Sequence, residues 1–145
     1  MDIQFSGRVY LRKNQRAGFN HTYGPSYYNI SQNLGSSIDT RKLRGFLITR
    51  PADVVALGMS FYLNSSSSDV RWVTEVVKRN LAGQLQVISL QELQPKTTGK
   101  VYKKFTFDMS VEVGDLLSIS FRRVGTGGSS TYYIYGDFVF ELRDP

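Results

Sequence analysis

The sequence predicts an all-β protein, an antiparallel β-sandwich with a jelly-roll-like arrangement and a long N-terminal loop or arm. Two observations support this fold class: apolar residues alternate with polar ones in several short runs, and turn-forming residues separate the runs. About eight such strands spaced by turns are typical of a sandwich or jelly roll. The 145 residues fit one domain, with a strand and arm over 1–44 and the sandwich body over 45–145.

Each predicted strand places apolar side chains on one face of a sheet. In chain order the runs are IQFSGRVYL, GFLIT, VVALGMSFYL, VYKKFTFDMSVEV, LLSISF and IYGDFVFEL. The turns between them fall at 64–69, 94–100, 113–115 and 125–130. The residues expected to face the core are Ile3, Phe5, Val9, Leu11, Trp72, Val101, Phe105, Phe107, Met109, Val111, Val113, Leu117, Ile119, Phe121, Ile134, Phe138, Phe140 and Leu142.

Residues 70–82 fit two patterns. Val70, Val73, Val77 and Leu81 have helical spacing, with Asp69 as a helix N-cap. The same segment contains four valines beside a tryptophan and a threonine, a composition typical of strands. The strand interpretation is favoured.

The segment from 18 to 42 has no regular period and is predicted to be a long ordered loop. Its mixture of Tyr, Ser, Gly and Asn is the one that recognition loops use, because it combines rigid contact area with adaptable hydrogen bonding. The alternative is that its tyrosines cover an open end of the core. The contact surface expected from this segment consists of His21, Tyr23, Tyr27 and Tyr28.

The net charge of +6 is confined to the first third of the chain. Residues 1–50 hold eight basic residues and two acids, whereas the remainder holds ten of each. A basic segment beside a neutral body suggests docking on an acidic surface, and the alternative is a solvated face that aids solubility. The residues expected to dock are Arg8, Arg12, Lys13, Arg16, Arg41, Lys42 and Arg44.

Catalytic, metal and cofactor sites are not predicted. His21 is the only histidine and there is no cysteine, so neither a catalytic triad nor a thiolate metal site is well supplied. No apolar run approaches the roughly 18 residues of a membrane helix, and membrane insertion is not expected. The single acids are expected mostly to face solvent, namely Glu75, Glu92, Asp108, Glu112 and Asp115.

Nucleic-acid binding is a weaker alternative. Basic residues interleave with aromatic ones in VYLRKNQR and VYKKFTF, as a surface that stacks bases would require. In the second run Lys103 and Lys104 fall on opposite faces. That placement is ordinary for an edge strand, where lysines also prevent aggregation.

From 45 to 142 the order of motifs resembles a known family. The layout has a strand bearing Trp72 that ends in Lys78-Arg79-Asn80, a Gly114-Asp115 turn before a strand, and a last strand rich in phenylalanine. This layout is similar to the β-sandwich domains of tailed-phage virion proteins, which occur in fibres, baseplate tips and head decorations. The V-x-x-G-D turn is also shared with jelly rolls of the C1q and tumour-necrosis-factor type. It has a structural role of its own, because Gly114 supplies a backbone angle that other residues avoid and Asp115 bonds the turn.

The resemblance implies a non-enzymatic structural protein on the virion exterior, made in the host cytoplasm. The chain reaches strand pattern by Ile3 and has no coiled coil or repeat, so a capsid decoration protein is expected first. A receptor-binding tail-fibre or baseplate subunit is the alternative. The implied partners are the major capsid or tail protein, further copies in a homotrimer and, for the alternative, a host surface receptor.

Overall fold

The computed structural model describes residues 2–11, 16–18, 32–35, 43–63, 71–93, 101–124 and 132–145, and in them the chain is all-β. Two antiparallel sheets pack face to face, which confirms the predicted sandwich. The strands are β1 (Asp2–Leu11), β2 (Arg16–Gly18), β3 (Gln32–Gly35), β4 (Phe46–Leu47), β5 (Ala52–Leu63), β6 (Arg71–Arg79), β7 (Leu85–Ser89), β8 (Val101–Val111), β9 (Leu116–Val124) and β10 (Tyr132–Arg143).

The strand pairs are nested around the β6–β7 hairpin. β6 pairs with β7, β5 with β8, β9 with both β2 and β4, and β1 with β10, all antiparallel. Two further pairings, β10 with β5 and β6 with β9, join these pairs into sheets. The four-stranded sheet has the order β1-β10-β5-β8. The second has the order β3-β2-β9-β6-β7, with β4 as an additional partner of β9.

The core lies between the two sheets and is rich in aromatic rings. Phe138 stacks on Phe5 with ring centroids 5.0 Å apart and tilts against Phe121 at 5.7 Å. Trp72 meets Phe61 edge to face at 5.4 Å, a preferred geometry for aromatic pairs. The predicted core residues that are fully buried are Trp72, Met109, Val111, Leu117, Ile119, Phe121, Phe138 and Phe140, with Leu142 almost so.

The strand interpretation of the ambiguous segment is confirmed, because β6 covers most of it. The prediction for Val113 is wrong: this residue is exposed, since β8 ends at Val111 and the turn to β9 follows. Phe105 and Phe107 pack against the core from the edge strand β8 but are only partly buried, as are Ile3, Phe5 and Val101. The side chains of Val9, Leu11 and Ile134 lie outside the described set.

The N-terminal third contributes strands to both sheets. β1 forms an edge of the four-stranded sheet, while β2 lies between β3 and β9 in the other. β3 falls within the segment that lacks a sequence period, because its four residues, QNLG, have no apolar alternation to reveal a strand. The remainder of the predicted arm lies outside the described residues.

Truncating a core ring tests the assignment of strand faces. Phe121→Ala should reduce the free energy of unfolding by about 3–5 kcal/mol, because the ring is fully buried between the sheets. Phe107→Ala is the matched control and should reduce it less, because this ring is partly exposed on β8. Urea denaturation of both variants measures the difference. A loss below about 1 kcal/mol for Phe121→Ala would contradict the inward orientation of that strand.

Candidate interaction surface

The β6–β7 hairpin closes through a tight loop that projects Leu81. The Asn80 N–H donates to the Gln84 carbonyl at 3.0 Å, and the Gly83 N–H donates to the Asn80 carbonyl at 3.0 Å. Gly83 has a φ of 82°, as the last loop residue of a three-residue hairpin requires. The Asn80 side chain also accepts from the Gln84 N–H at 2.9 Å, which fixes the loop further. Leu81 is thereby held at the tip with 84% of its surface exposed.

The β8–β9 turn lies against this hairpin loop. The Glu112 N–H donates to Asp115 Oδ2 at 2.8 Å, and the Asp115 N–H donates to the Glu112 carbonyl at 3.0 Å. Gly114 has a φ of 91°, so both roles predicted for the Gly-Asp pair are confirmed. A Cβ placed on Gly114 would lie 2.8 Å from Leu81 Cγ, which shows that the two turns touch.

Lys78 of β6 contacts both the end of β8 and the β8–β9 turn. Its Nζ donates to the Ser110 carbonyl at 2.9 Å and lies 3.9 Å from Asp115 Oδ2. Asp115 is buried, so the expectation that it faces solvent is wrong. The reason is that its carboxylate is used inside the turn.

The outer face of the six-stranded sheet, which points away from the core, is ordered by cross-strand rows. Residues directly opposite each other on neighbouring strands share a face. The registers give one row of Leu47, Leu116, Arg79 and Leu85, and a second of Ser118, Val77 and Val87. A third row contains Ser120, Glu75 and Ser89.

Part of this outer face is covered by the segment that precedes β4. Leu43 is buried against Val77 and Leu116, and the Ser118 hydroxyl donates to the Arg44 carbonyl. The approach is close, because a Cβ on Gly45 would overlap the Leu117 carbonyl oxygen. Glycine at this position therefore allows the segment to lie directly on β9.

Glu75 is a buried carboxylate on the same outer face. Ser120 Oγ donates to its Oε1 at 3.2 Å, and Arg122 Nε lies 3.8 Å from its Oε2. The expectation that Glu75 faces solvent is wrong, because the outer face of β6 is covered where alternation alone suggests water. With a hydroxyl and a guanidinium beside it, the carboxylate has the partners that a buried charge requires.

An exposed apolar surface adjoins the covered part. Among the described residues, six large apolar side chains are exposed. The registers place Leu47, Leu85 and Val87 on the outer face, Leu81 and Val113 belong to the two touching turns, and Tyr102 lies on β8. We call the surface of the first five the outer patch, and its members and exposures are Leu47 (66%), Leu81 (84%), Leu85 (37%), Val87 (40%) and Val113 (57%). The buried Leu43 and Val77, with the partly buried Leu116 packed against them, belong to the same outer face. Exposed apolar surface gathered in this way is typical of protein contact sites.

Only some of the residues predicted to dock fall within the part of the chain that the structure describes. Arg8 lies in β1 and Arg16 in β2, where the backbone alone is described. Arg44 is exposed beside the outer patch, and its Nη1 donates to the Leu43 carbonyl at 3.1 Å. The docking residues Arg12, Lys13, Arg41 and Lys42, and the whole predicted contact surface of His21, Tyr23, Tyr27 and Tyr28, lie outside the described residues.

The remaining acids flagged in the sequence do not converge. Glu92 pairs with Arg71 at 3.3 Å, and Asp108 and Glu112 are exposed. Within the described ranges, no group of three or more His, Asp or Glu side chains is placed to hold a metal ion. The same ranges contain no helix long and apolar enough to cross a membrane.

A cleft of about 330 Å³ opens beside Leu47, where β4 meets the edge of the four-stranded sheet. Its walls include Ile3, Phe46 and Leu142, with the exposed Arg50 as its one charged side chain. Binding sites for small molecules usually add several polar groups to an apolar wall. The outer patch is therefore the stronger candidate for function.

No protein-family model matches the chain, and no curated protein matches it in sequence.

Gly45 tests how closely the covering segment must approach. Gly45→Ala should reduce the free energy of unfolding by about 1–3 kcal/mol or more, because the new Cβ would overlap a backbone carbonyl that cannot move aside. Gly58→Ala in β5 is the matched control, since the atoms nearest to its Cβ lie at 3.8 and 4.0 Å. The control should leave stability unchanged or raise it by up to about 1 kcal/mol. Equal effects in thermal or urea denaturation would contradict the close packing of residues 43–45 on β9.

Proposed function

We propose that this protein is a non-enzymatic structural protein of the exterior of a tailed-phage particle, and that it serves as a capsid decoration protein. The observation that carries the proposal is the outer patch, a gathered apolar surface beside the exposed Arg44. Its proposed partner is the major capsid protein. The tail-fibre or baseplate location is the alternative, and it would use the same kind of surface on a different partner.

The nested strand pairing supports the jelly-roll part of this proposal. A jelly roll is produced when a long antiparallel pair is rolled up, so that the first strand pairs with the last and the innermost two form a hairpin. Here β1 pairs with β10, β5 with β8 and β6 with β7. The pairings β10–β5 and β9–β6 then close the roll. This is the architecture that the resemblance to virion proteins implies.

The polar side chains in the described ranges support a structural role. Asp115 closes a turn, Glu75 is buried with Ser120 and Arg122, and Lys78 caps the end of β8. Each of these groups is used to hold the sheet and its turns together.

Nucleic-acid binding is less well supported than docking on protein. In VYKKFTF, Lys104 reaches across β5 to Glu141 on β10, with Nζ and Oε1 2.9 Å apart. That hydrogen bond raises the pKa of Lys104 above its ordinary value. Because half of the lysine pair is neutralised within the protein, the run makes a poor electrostatic track for phosphates.

Substitutions in the outer patch test the proposal. Leu47→Glu and Val113→Glu should each weaken binding to particles assembled without this protein by about tenfold or more, since each places a charge in an apolar contact. Tyr102→Glu is the matched control, because Tyr102 is as exposed as Leu47 but lies on the other sheet. Occupancy is measured by co-sedimentation with heads and with isolated tails separately. Undiminished binding by both patch variants would contradict the proposal, and binding to tails alone would favour the fibre or baseplate alternative.

The basic first third is tested by charge reversal. If Arg12 and Lys13 dock on an acidic capsid surface, Arg12→Glu with Lys13→Glu should lower occupancy, mainly by slowing association. The binding of the parent protein should also weaken as salt rises, because exposed charges are screened over about 8 Å at physiological ionic strength. Thermal stability should be nearly unchanged. If parent and variant occupy particles equally at low and high salt, the basic segment is a solvated face only.

A further inference from the structure

β7 is one of the two terminal strands of the six-stranded sheet, and β3 is the other. β7 pairs with β6 on one side, and no described strand pairs with its other side. Its side chains are exposed along most of its length, including Leu85 at 37% and Val87 at 40%. The strand therefore presents backbone as well as side chains to its surroundings.

The hydrogen bonds to β6 establish which backbone groups face outwards. The Leu90 N–H donates to the Thr74 carbonyl at 2.9 Å, and Asn80 bonds to Gln84 in the same register. In an antiparallel ladder such pairs alternate, so the even-numbered residues of β7 bond to β6. The N–H and C=O groups of Leu85, Val87 and Ser89 therefore point away from β6, towards the open edge.

This edge lacks the charges that normally protect an edge strand. Proteins block edge pairing with lysine, other charges or proline. β8, the edge strand of the other sheet, carries Lys103, Lys104 and Asp108 in this way. By contrast, residues 80–91 contain no charged side chain and no proline, although the protein as a whole carries a net charge of +6.

We propose that β7 is a self-association edge, at which a second copy of this chain adds its own β7 antiparallel, centred on Val87. We place the two-fold axis perpendicular to the sheet, so that the outer faces of both copies lie on the same side. Each odd-numbered residue of one β7 must then pair with an odd-numbered residue of the other. Centring on Val87 pairs Val87 with its symmetry mate and Leu85 with Ser89 of the second copy. Each copy then donates the N–H groups of Leu85, Val87 and Ser89 to carbonyls of the other, and all the outward groups are satisfied.

A second copy of β7 fits this edge, because its own outward groups match those of the first. The three outward residues are spaced symmetrically about Val87, so no other centre uses all of them. An uncharged contact also lets two copies of a basic protein approach without bringing like charges together. The six-stranded sheets become continuous, and the outer patches of both copies lie on the same side of the joined sheet. This inference does not depend on the particle location proposed above, and a two-fold contact can coexist with a trimer formed through another surface.

Cysteine cross-linking in the full chain tests the register. Directly opposed residues that exchange hydrogen bonds have Cα atoms about 5.5 Å apart, within reach of a disulfide. Val87→Cys should therefore form a cross-linked dimer under mild oxidation, and the native chain has no cysteine to interfere. Leu85→Cys is the matched control, because it is about equally exposed but should lie about 14 Å from its symmetry mate. If the two variants cross-link at the same rate, or Val87→Cys does not cross-link, the proposed pairing is wrong.

Sedimentation velocity tests the association itself. The parent protein should shift from 16.4 kDa towards twice that mass as its concentration rises from micromolar to millimolar. Val87→Lys should abolish the shift, because it places two like charges opposite each other at the axis, whereas Tyr102→Lys should not. A parent protein that stays at 16.4 kDa throughout, or a shift that Val87→Lys leaves intact, would overturn the inference. Neither result would affect the particle-binding test, which uses Leu47 and Val113.

Discussion

The burial of β6 on both faces is the constraint on which the rest of this structure depends. Trp72 and Val76 point into the core between the sheets, while Val73, Glu75 and Val77 on the opposite face are buried as well. β6 also lies inside its sheet, between β9 and β7, and the hairpin loop that follows it lies against the β8–β9 turn. The outer face needs its own cover, which Leu43 supplies over Val77 and which Gly45 allows by its lack of a side chain.

The same constraint explains where the exposed surface lies. Leu43 is buried over Val77 and Leu116, whereas the cross-strand rows continue outward to Leu47 on one side and to Leu85 and Val87 on the other. These apolar side chains are left exposed beside the covered part of the sheet. The exposed side chains of the outer patch and the outward backbone groups of β7 therefore lie next to each other. Both positions follow from the way in which β6 is paired and covered. Both proposals concern this part of the six-stranded sheet, and each has its own test.

The sequence was sufficient for features that depend on local alternation. Phe121, Phe138 and Phe140 were correctly placed in the core because each strand keeps a period of two, and the Gly114-Asp115 turn followed from turn chemistry. Glu75 was misplaced because alternation assumes that the outer face of a strand meets water. β3 was missed because it lacks apolar residues at alternate positions. The outer patch could not be predicted at all, since it combines residues from two strands and two turns that only long-range pairing brings together.

Residue-resolved amide hydrogen exchange in dilute solution tests the central claim about β6 most directly. Hydrogen exchange reports the local free energy of opening for each amide. All amides of β6 should be protected, because alternate residues bond to β9 and to β7. In β7 the amides of Gln86 and Ile88 should be protected, and those of Leu85, Val87 and Ser89 should exchange quickly. Fast exchange at alternate positions of β6, or uniform protection along β7 in the dilute monomer, would contradict the account.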